Sequence, residues 1–400
     1  MSLELNFHNI VIIIFHMKNN SLITIFLIVF IDLLGFGLIL PLLPYIAEKY
    51  SAGPLQIGLL TATYSFFQLI SAPILGRLSD RYGRKKLLII SQLGSAVGYL
   101  ILGLAGNLPL LFLSRVIDGI TGGNISIAQA YIADVTTKEN RARGMGLIGA
   151  AFGLGFIFGP ALGGALSKIS YSTPAYFATV VSLITVLTTI FFLKETVNEK
   201  DASVSPRTKF SFSEFKRVLR LYPIGLLITV FFMLNTAFSI MQGNFSLWTQ
   251  KTFNYDASQN GWLFTYIGII AVVIQMRILP FVIKKFHEKN ILKISLLFMA
   301  IGLFLIPLSK NPNFLFVALF FMPLGNGLAN PTIQALASEN VPKEEYGETL
   351  GILQSAGSFG RILGPIIGGE IFQSFGKDTA FYFAGGIVLL TLIYLRYKLK

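Results

Sequence analysis

Stretches of about twenty mostly apolar residues, each long enough to cross a hydrocarbon core ~30 Å thick, recur along nearly the whole chain. They fall at 21–45, 56–76, 86–106, 108–130, 143–167, 173–193, 222–248, 259–281, 291–309, 313–337, 347–372 and 378–396. With 54% of its 400 residues hydrophobic and only 13% charged, the chain lacks the polar surface to keep these segments in water. Lipid offers no partner to a backbone N–H or C=O, so each segment must satisfy its own polar groups as a helix. The expected fold is all-α and integral to the membrane, with twelve spans.

Between the second and third segments lies GRLSDRYGRKK, eleven residues from Gly76 with five basic side chains and one acid. Lys and Arg beside a span resist translocation, so this turn belongs in the cytoplasm. Twelve spans then place both termini on the same side. That side receives 24 Lys and Arg, from Lys18, the loops at 77–86, 138–143, 194–220 and 284–293, Lys343 and the tail from Arg396. The other side receives five, Lys49, Lys168, Lys251, Lys310 and Lys377, while Arg115, Arg277 and Arg361 fall inside spans. A missed or invented span would scramble this asymmetry. The expected location is the inner or plasma membrane.

The net charge of +13 therefore reports topology and an anionic inner leaflet, and no nucleic-acid partner is expected. The absence of cysteine rules out disulfides and thiolate metal sites. His8, His16 and His287 are isolated, so neither a metal site nor a cofactor is expected. Residues 1–20 read as an N-terminal extension, with Met17-Lys18 an alternative start just ahead of the first span. The bundles are expected at 21–193 and 222–400, joined by a cytoplasmic linker at 194–221. From Ser213 that linker has the pattern of a basic amphipathic helix on the inner leaflet, with Phe215, Val218, Leu219 and Tyr222 set against Lys216, Arg217 and Arg220.

The two halves repeat. Gly155, Gly159, Pro160, Gly163 and Gly164 recur at an offset of 205 as Gly360, Gly364, Pro365, Gly368 and Gly369. In the same register Gln129 matches Gln334, Asp134 matches Glu339, Lys138 matches Lys343, Glu139 matches Glu344 and Gly146 matches Gly351. Two homologous six-span bundles point to a transporter with a midplane substrate site and alternating access. The glycines let neighbouring helices pack backbone to backbone. Pro160 and Pro365 each free a carbonyl and loosen their spans, which suits gating.

Charges inside spans cost at least ~2.5–3.5 kcal/mol each and persist mainly where function uses them. Asp32 lies roughly 16 Å into span 1 at 1.5 Å per residue. Arg115 and Asp118 share a face of span 4, one turn apart. A carboxylate that moves between an apolar and an Arg-paired environment takes up and releases a proton, so Asp32, Arg115 and Asp118 are the expected proton-coupling residues. Polar and aromatic residues expected to face substrate are Tyr64, Gln68, Asn124, Asn235, Gln242, Tyr266, Asn330, Gln334, Gln354 and Arg361. Any of them could instead join helices.

Four of these segments together resemble signatures of the major facilitator superfamily. They are GRLSDRYGRKK, Asp32-x-x-Gly35-x-Gly37-x-x-x-Pro41-x-x-Pro44, Arg115-x-x-Asp118-Gly119 and the Gly-Pro-Gly-Gly run of span 5. From about Leu22 onward the chain is most similar to the twelve-span drug/proton antiporters, the tetracycline-efflux and multidrug branch. The resemblance implies that spans 1 and 4 are neighbours. It also implies a charge network latching the outward-facing state, here Gly76, Asp80, Arg81, Gly83 and Arg84 with Asp134. In the second half Glu339 would pair with Lys284 or Lys285. At Gly76 and Gly83 close backbone approach is expected. The glycine-proline runs of spans 5 and 11 correspond to the antiporter motif. Tetracycline pumps of this kind carry acids in spans 3 and 9, whereas 86–106 and 291–309 contain none. That argues against tetracycline and for amphipathic, neutral or weakly cationic substrates.

The sequence thus reads as a monomeric exporter of small amphipathic molecules in exchange for protons, with the lipid bilayer, protons and a small-molecule substrate as its partners. A nutrient symporter or facilitator of the same fold is the main alternative. A non-transporting membrane receptor fits the charges in spans 1 and 4 less well. No nucleotide loop, nucleophile elbow or metal cluster points to an enzyme.

Overall fold

The computed structural model describes residues 20–137, 140–197, 221–342 and 345–398. Residues 1–19 of the N-terminal extension, residues 213–220 of the expected amphipathic helix and the repeat positions Lys138, Glu139, Lys343 and Glu344 lie outside the described residues; Tyr222, the last residue expected on that helix, lies in a turn. Helix α1 is Asn20–Ile39, followed by a short α2, Leu43–Glu48, with Pro44 in its first turn. Next come α3 (Pro54–Tyr82), α4 (Arg84–Leu104), α5 (Leu108–Ile120), α6 (Asn124–Val135), α7 (Arg141–Ser167) and α8 (Thr173–Phe192). The second half holds α9 (Ile224–Phe253), α10 (Ala257–Val273), a π-helical turn at Ile274–Ile278, α11 (Leu279–Lys285), α12 (Glu288–Leu308), α13 (Pro312–Glu339), α14 (Tyr346–Phe375) and α15 (Thr379–Lys398).

Ten of the described helical stretches are long and apolar enough to cross a membrane. The remaining two expected spans are α14, which carries Arg361 and Glu370, and the stretch formed by α5 and α6. The latter departs from expectation, since the fourth span is not one continuous helix. It breaks at Thr121–Gly123, where a glycine pair costs the helix backbone entropy. The carbonyls loosened there find partners on other helices. Ser71 Oγ donates to Gly119 O at 2.7 Å, Gln68 Nε2 to Gly122 O at 3.3 Å, and Ser91 Oγ to Thr121 O. Such satisfaction is what permits irregular backbone at membrane depth. In the eighth span the π turn ends two residues before Pro280, whose missing N–H cannot support regular i to i−4 bonding.

The chain divides into two compact units. One comprises Met1–Ser51, Thr63–Ser205 and Asp256–Tyr266, the other Ala52–Ala62, Pro206–Tyr255 and Ile267–Lys400. In the first, α1 packs on α7 and α8, and α4 on α5 and α8. In the second, α9 packs on α14 and α15, and α12 on α13 and α15. The same pairing recurs in the order the internal repeat implies. A core of the first unit is formed by Ile25, Ile28, Val29, Leu88, Ile127, Tyr131, Ile132 and Ala151, all essentially inaccessible.

Because lipid is as apolar as leucine, burial alone does not drive these helices together, and close contact must. A Cβ at Gly155 would lie 2.7 Å from Leu33 Cβ, one at Gly159 2.8 Å from Gly37 Cα, and one at Gly163 2.5 Å from Leu38 O. On α14 a Cβ at Gly360 would meet Phe232 O at 2.9 Å, and one at Gly364 would meet Thr236 O at 2.7 Å. At Gly368 it would strike Asn244 Nδ2. The last glycine of each run faces a different partner. Gly164 lies against Ser258 and Gly261, and Gly369 against Pro54 and Leu55. Gly146 and Gly351 match in the repeat but have open space around them.

Candidate functional site

Two groups of charged side chains stand out in the first unit, one at the α3–α4 turn and one beside the break between α5 and α6. At the turn, Gly83 adopts φ +104°, a conformation that an L side chain rarely takes, and so lets α4 begin immediately after α3. Arg84, the first residue of α4, is buried. Its Nη2 lies 2.5 Å from Asp80 Oδ1 and its Nε 3.0 Å from Asp134 Oδ2 at the end of α6. Nη1 donates to Ser79 Oγ at 2.6 Å and to Gly76 O at 3.5 Å. A planar guanidinium alone can hold such a divergent set of acceptors.

The geometry thus joins Gly76, Asp80, Arg84 and Asp134, and adds Ser79, which the sequence reading missed. Arg81 stands apart, exposed, with its guanidinium 5.3 Å from the Tyr82 ring centroid. Close backbone approach was expected at Gly76 and is not found: a Cβ there would meet nothing within 4 Å, and the residue contributes its carbonyl instead. In the second half, no ion pair joins Glu339 to Lys284 or Lys285 among the described residues. Lys285 Nζ sits 5.9 Å and 6.0 Å from the rings of Phe281 and Phe286. The α11 end carries no Gly-x-x-x-Asp pattern to build a counterpart.

At the break, Asn124 opens α6 and donates through Nδ2 to Asp32 Oδ1 at 2.9 Å. One helical turn before the break, Arg115 Nη1 lies 3.2 Å from Asp118 Oδ2, with both side chains about 95% buried. The Arg115 guanidinium is 5.9 Å from the Tyr99 ring centroid. Two glycines make room for this cluster: a Cβ at Gly35 would strike the Tyr99 hydroxyl, and one at Gly98 would come within 2.9 Å of Asp118 Cβ. Arg115 Nη2 and Asn124 Oδ1 are buried with no hydrogen-bond partner. A buried orphan donor and acceptor at a charged site leave capacity for water or another polar group. Spans 1 and 4 are neighbours here, and Tyr99 joins the cluster with no motif to announce it.

The residues expected to face substrate divide. Gln68 Nε2 bonds Tyr64 OH at 2.8 Å, and the Tyr64 ring lies 5.7 Å from that of Phe36, so both belong to the cluster around the break. In the second half, Asn235 Nδ2 bonds Phe231 O of its own helix at 2.8 Å, and Asn330 bonds Asn326 Oδ1 at 2.7 Å. Arg361 Nη2 donates to Ser358 Oγ at 2.7 Å. Gln242, Tyr266 and Gln334 are partly buried, and Gln354 is exposed.

The fold and these charges define a multi-pass helical membrane protein built from two structurally repeated bundles. A family model for the Major Facilitator Superfamily matches residues 25–292 and 278–400, and the chain belongs to that superfamily. The class H tetracycline resistance protein of Pasteurella multocida is 31% identical over 360 residues, 89% of this chain and 90% of that one. Multidrug resistance protein 2 of Bacillus subtilis (strain 168) is 31% identical over 378 residues, 92% of this chain and 94% of that one. The crystal structure of the human organic anion transporter MFSD10 (TETRAN) matches with a TM-score of 0.70 at 26% identity, covering 94% of this chain and 99% of that one. That of the nucleoside transporter NupG gives a TM-score of 0.79 at 17% identity over 95% of this chain and 99% of that one, a likeness of fold.

Proposed function

We propose that this protein exports small amphipathic compounds across the inner membrane in exchange for protons, by alternating access. The observation that carries the reading is the placement of Asp32 and the Arg115–Asp118 pair beside a broken helix, with an unpartnered donor and acceptor in the same cluster. In this mechanism Asp32 is the proton carrier. Asn124 holds its carboxylate, while Arg115 pairs with Asp118. Substrate arriving near Tyr64 and Gln68 favours loss of the Asp32 proton, and reprotonation from outside favours release, so neither step completes without the other. Arg84, Asp80 and Asp134 act as the latch of one conformational state. The kinship with tetracycline and multidrug resistance proteins supports export over nutrient uptake. Spans without acids at 86–106 and 291–309 support neutral or weakly cationic substrates. We place both termini in the cytoplasm from the Lys and Arg distribution, and the working unit is a monomer.

The test is a drug-sensitivity panel in an efflux-deficient host, with and without a proton uncoupler, followed by transport in reconstituted vesicles. Uncoupler-sensitive resistance and export against a gradient are expected. Inward uptake of a nutrient, or export indifferent to an imposed pH gradient, overturns the reading.

A further inference from the structure

The first residues after α8 enter the Arg84 cluster, although no motif marks them. Glu195 lies beyond the end of that helix, yet its Oε1 accepts the backbone N–H of Arg84 at 2.8 Å and its Oε2 that of Lys85 at 3.2 Å. These are two of the four N–H groups that the start of α4 leaves without a helical partner, and a carboxylate there also meets the positive end of the helix dipole. Thr196 Oγ1 donates to Asp134 Oδ2 at 3.1 Å, the same oxygen that receives Arg84 Nε. Lys85 Nζ reaches back to Ile190 O at 2.6 Å, and Tyr131 OH donates to Lys194 O at 3.0 Å. Gly83 completes the fit, since a Cβ at that position would strike Glu195 Oε2.

We propose that Glu195 and Thr196 are positioning residues of the latch, so that the start of the inter-bundle linker is clasped when the Arg84–Asp134 pair forms and released when it breaks. This rests on the latch reading above. Glu195 acts on the backbone that carries the Arg84 side chain, and Thr196 acts on the acceptor of that side chain. Between them they contact both partners of the ion pair. A change at either end is felt at the other, as reciprocal coupling between linked equilibria requires.

The test uses the full-length protein in nanodiscs and reads hydrogen exchange at the Arg84 and Lys85 amides. Glu195→Ala should raise exchange there about fivefold, the worth of a lost capping carboxylate. Asp134→Asn should raise it at the same amides, and the double variant should add little to the larger single effect. Glu195→Gln, which keeps one acceptor, should fall between wild type and Glu195→Ala. In vesicles, with the weakly basic amphipathic dye Hoechst 33342 as the transported probe, Glu195→Ala should lower turnover while leaving the half-saturating concentration unchanged. Unchanged exchange in Glu195→Ala, additive effects in the double variant, or raised exchange with wild-type turnover each overturns the proposal. If Arg84→Ala and Asp134→Asn also turn over at the wild-type rate, the latch reading fails and takes this proposal with it. If only the Asp134 and Arg84 variants are slowed, the latch stands without the clasp.

Discussion

Asn124 Nδ2 and Asp32 Oδ1 are 2.9 Å apart although 92 positions separate them in the chain. The bond ties the carboxylate of α1 to the first residue of α6, immediately beyond the break in the fourth span. A helix that ran unbroken from α5 into α6 would present residue 124 at a different angle. The irregular backbone is thus part of how the carboxylate is held.

Asp32→Asn should abolish concentration of substrate driven by an imposed pH gradient while leaving substrate binding intact. Its amide cannot exchange a proton but still occupies the site. Arg115→Ala should lose both activities, because Asp118 would be left as an uncompensated buried charge, a penalty of about 3–5 kcal/mol. Vesicle transport together with equilibrium binding separates the two outcomes. Persistent pH-driven uptake by Asp32→Asn would move the proton to Asp118.

Arg84→Lys is expected to be nearly as damaging as Arg84→Ala, since one ammonium cannot span Asp80, Ser79 and Asp134 together. Asp80→Asn and Asp134→Asn should slow transport while leaving insertion normal, because topology depends on the Lys and Arg residues. Surface expression, turnover and distances between probes on introduced cysteines check this, and the cysteine-free chain needs no prior mutation. Unchanged turnover and an unchanged conformational population in both Asp variants would reject the latch.

Glu339→Gln provides the contrast. No ion pair in the described residues depends on Glu339, so its turnover should stay within about twofold of wild type, the scale of an exposed charge. A defect equal to that of Asp134→Asn would mean that the second half has a latch after all.

Glycine substitutions should separate packing from conformational freedom. Gly159→Ala and Gly364→Ala drive a methyl into the backbone of α1 or α9 and should cost about 1–3 kcal/mol as overpacking. Gly146→Ala and Gly351→Ala meet open space and should be neutral or gain up to about 1 kcal/mol from the lower entropy of alanine. Thermal stability in detergent reads both pairs.

Much of the architecture could be read from the chain alone. Span length, the Lys and Arg asymmetry and the offset of 205 are properties of a linear sequence in a layered solvent, which sorts segments by hydropathy and charge before any packing occurs. The glycine runs were legible for the same reason, because their spacing states which helix face must be bare. Tertiary structure alone decided which partners meet. Tyr99, Glu195 and Thr196 enter their clusters through tertiary contacts, and nothing in their local sequence distinguishes them from ordinary polar or aromatic residues; Ser79 sits inside the quoted motif, but its bond to Arg84 is seen only in the fold. Gly122-Gly123 was visible, but whether a glycine pair bends, packs or breaks a helix depends on whether neighbours can accept its freed carbonyls. Ser71, Gln68 and Ser91 settle that here from other helices. The expected Glu339 pair is not formed among the described residues: the repeat preserves the acid, but an ion pair also needs a cation aimed at it, and Lys285 Nζ sits beside the Phe281 and Phe286 rings.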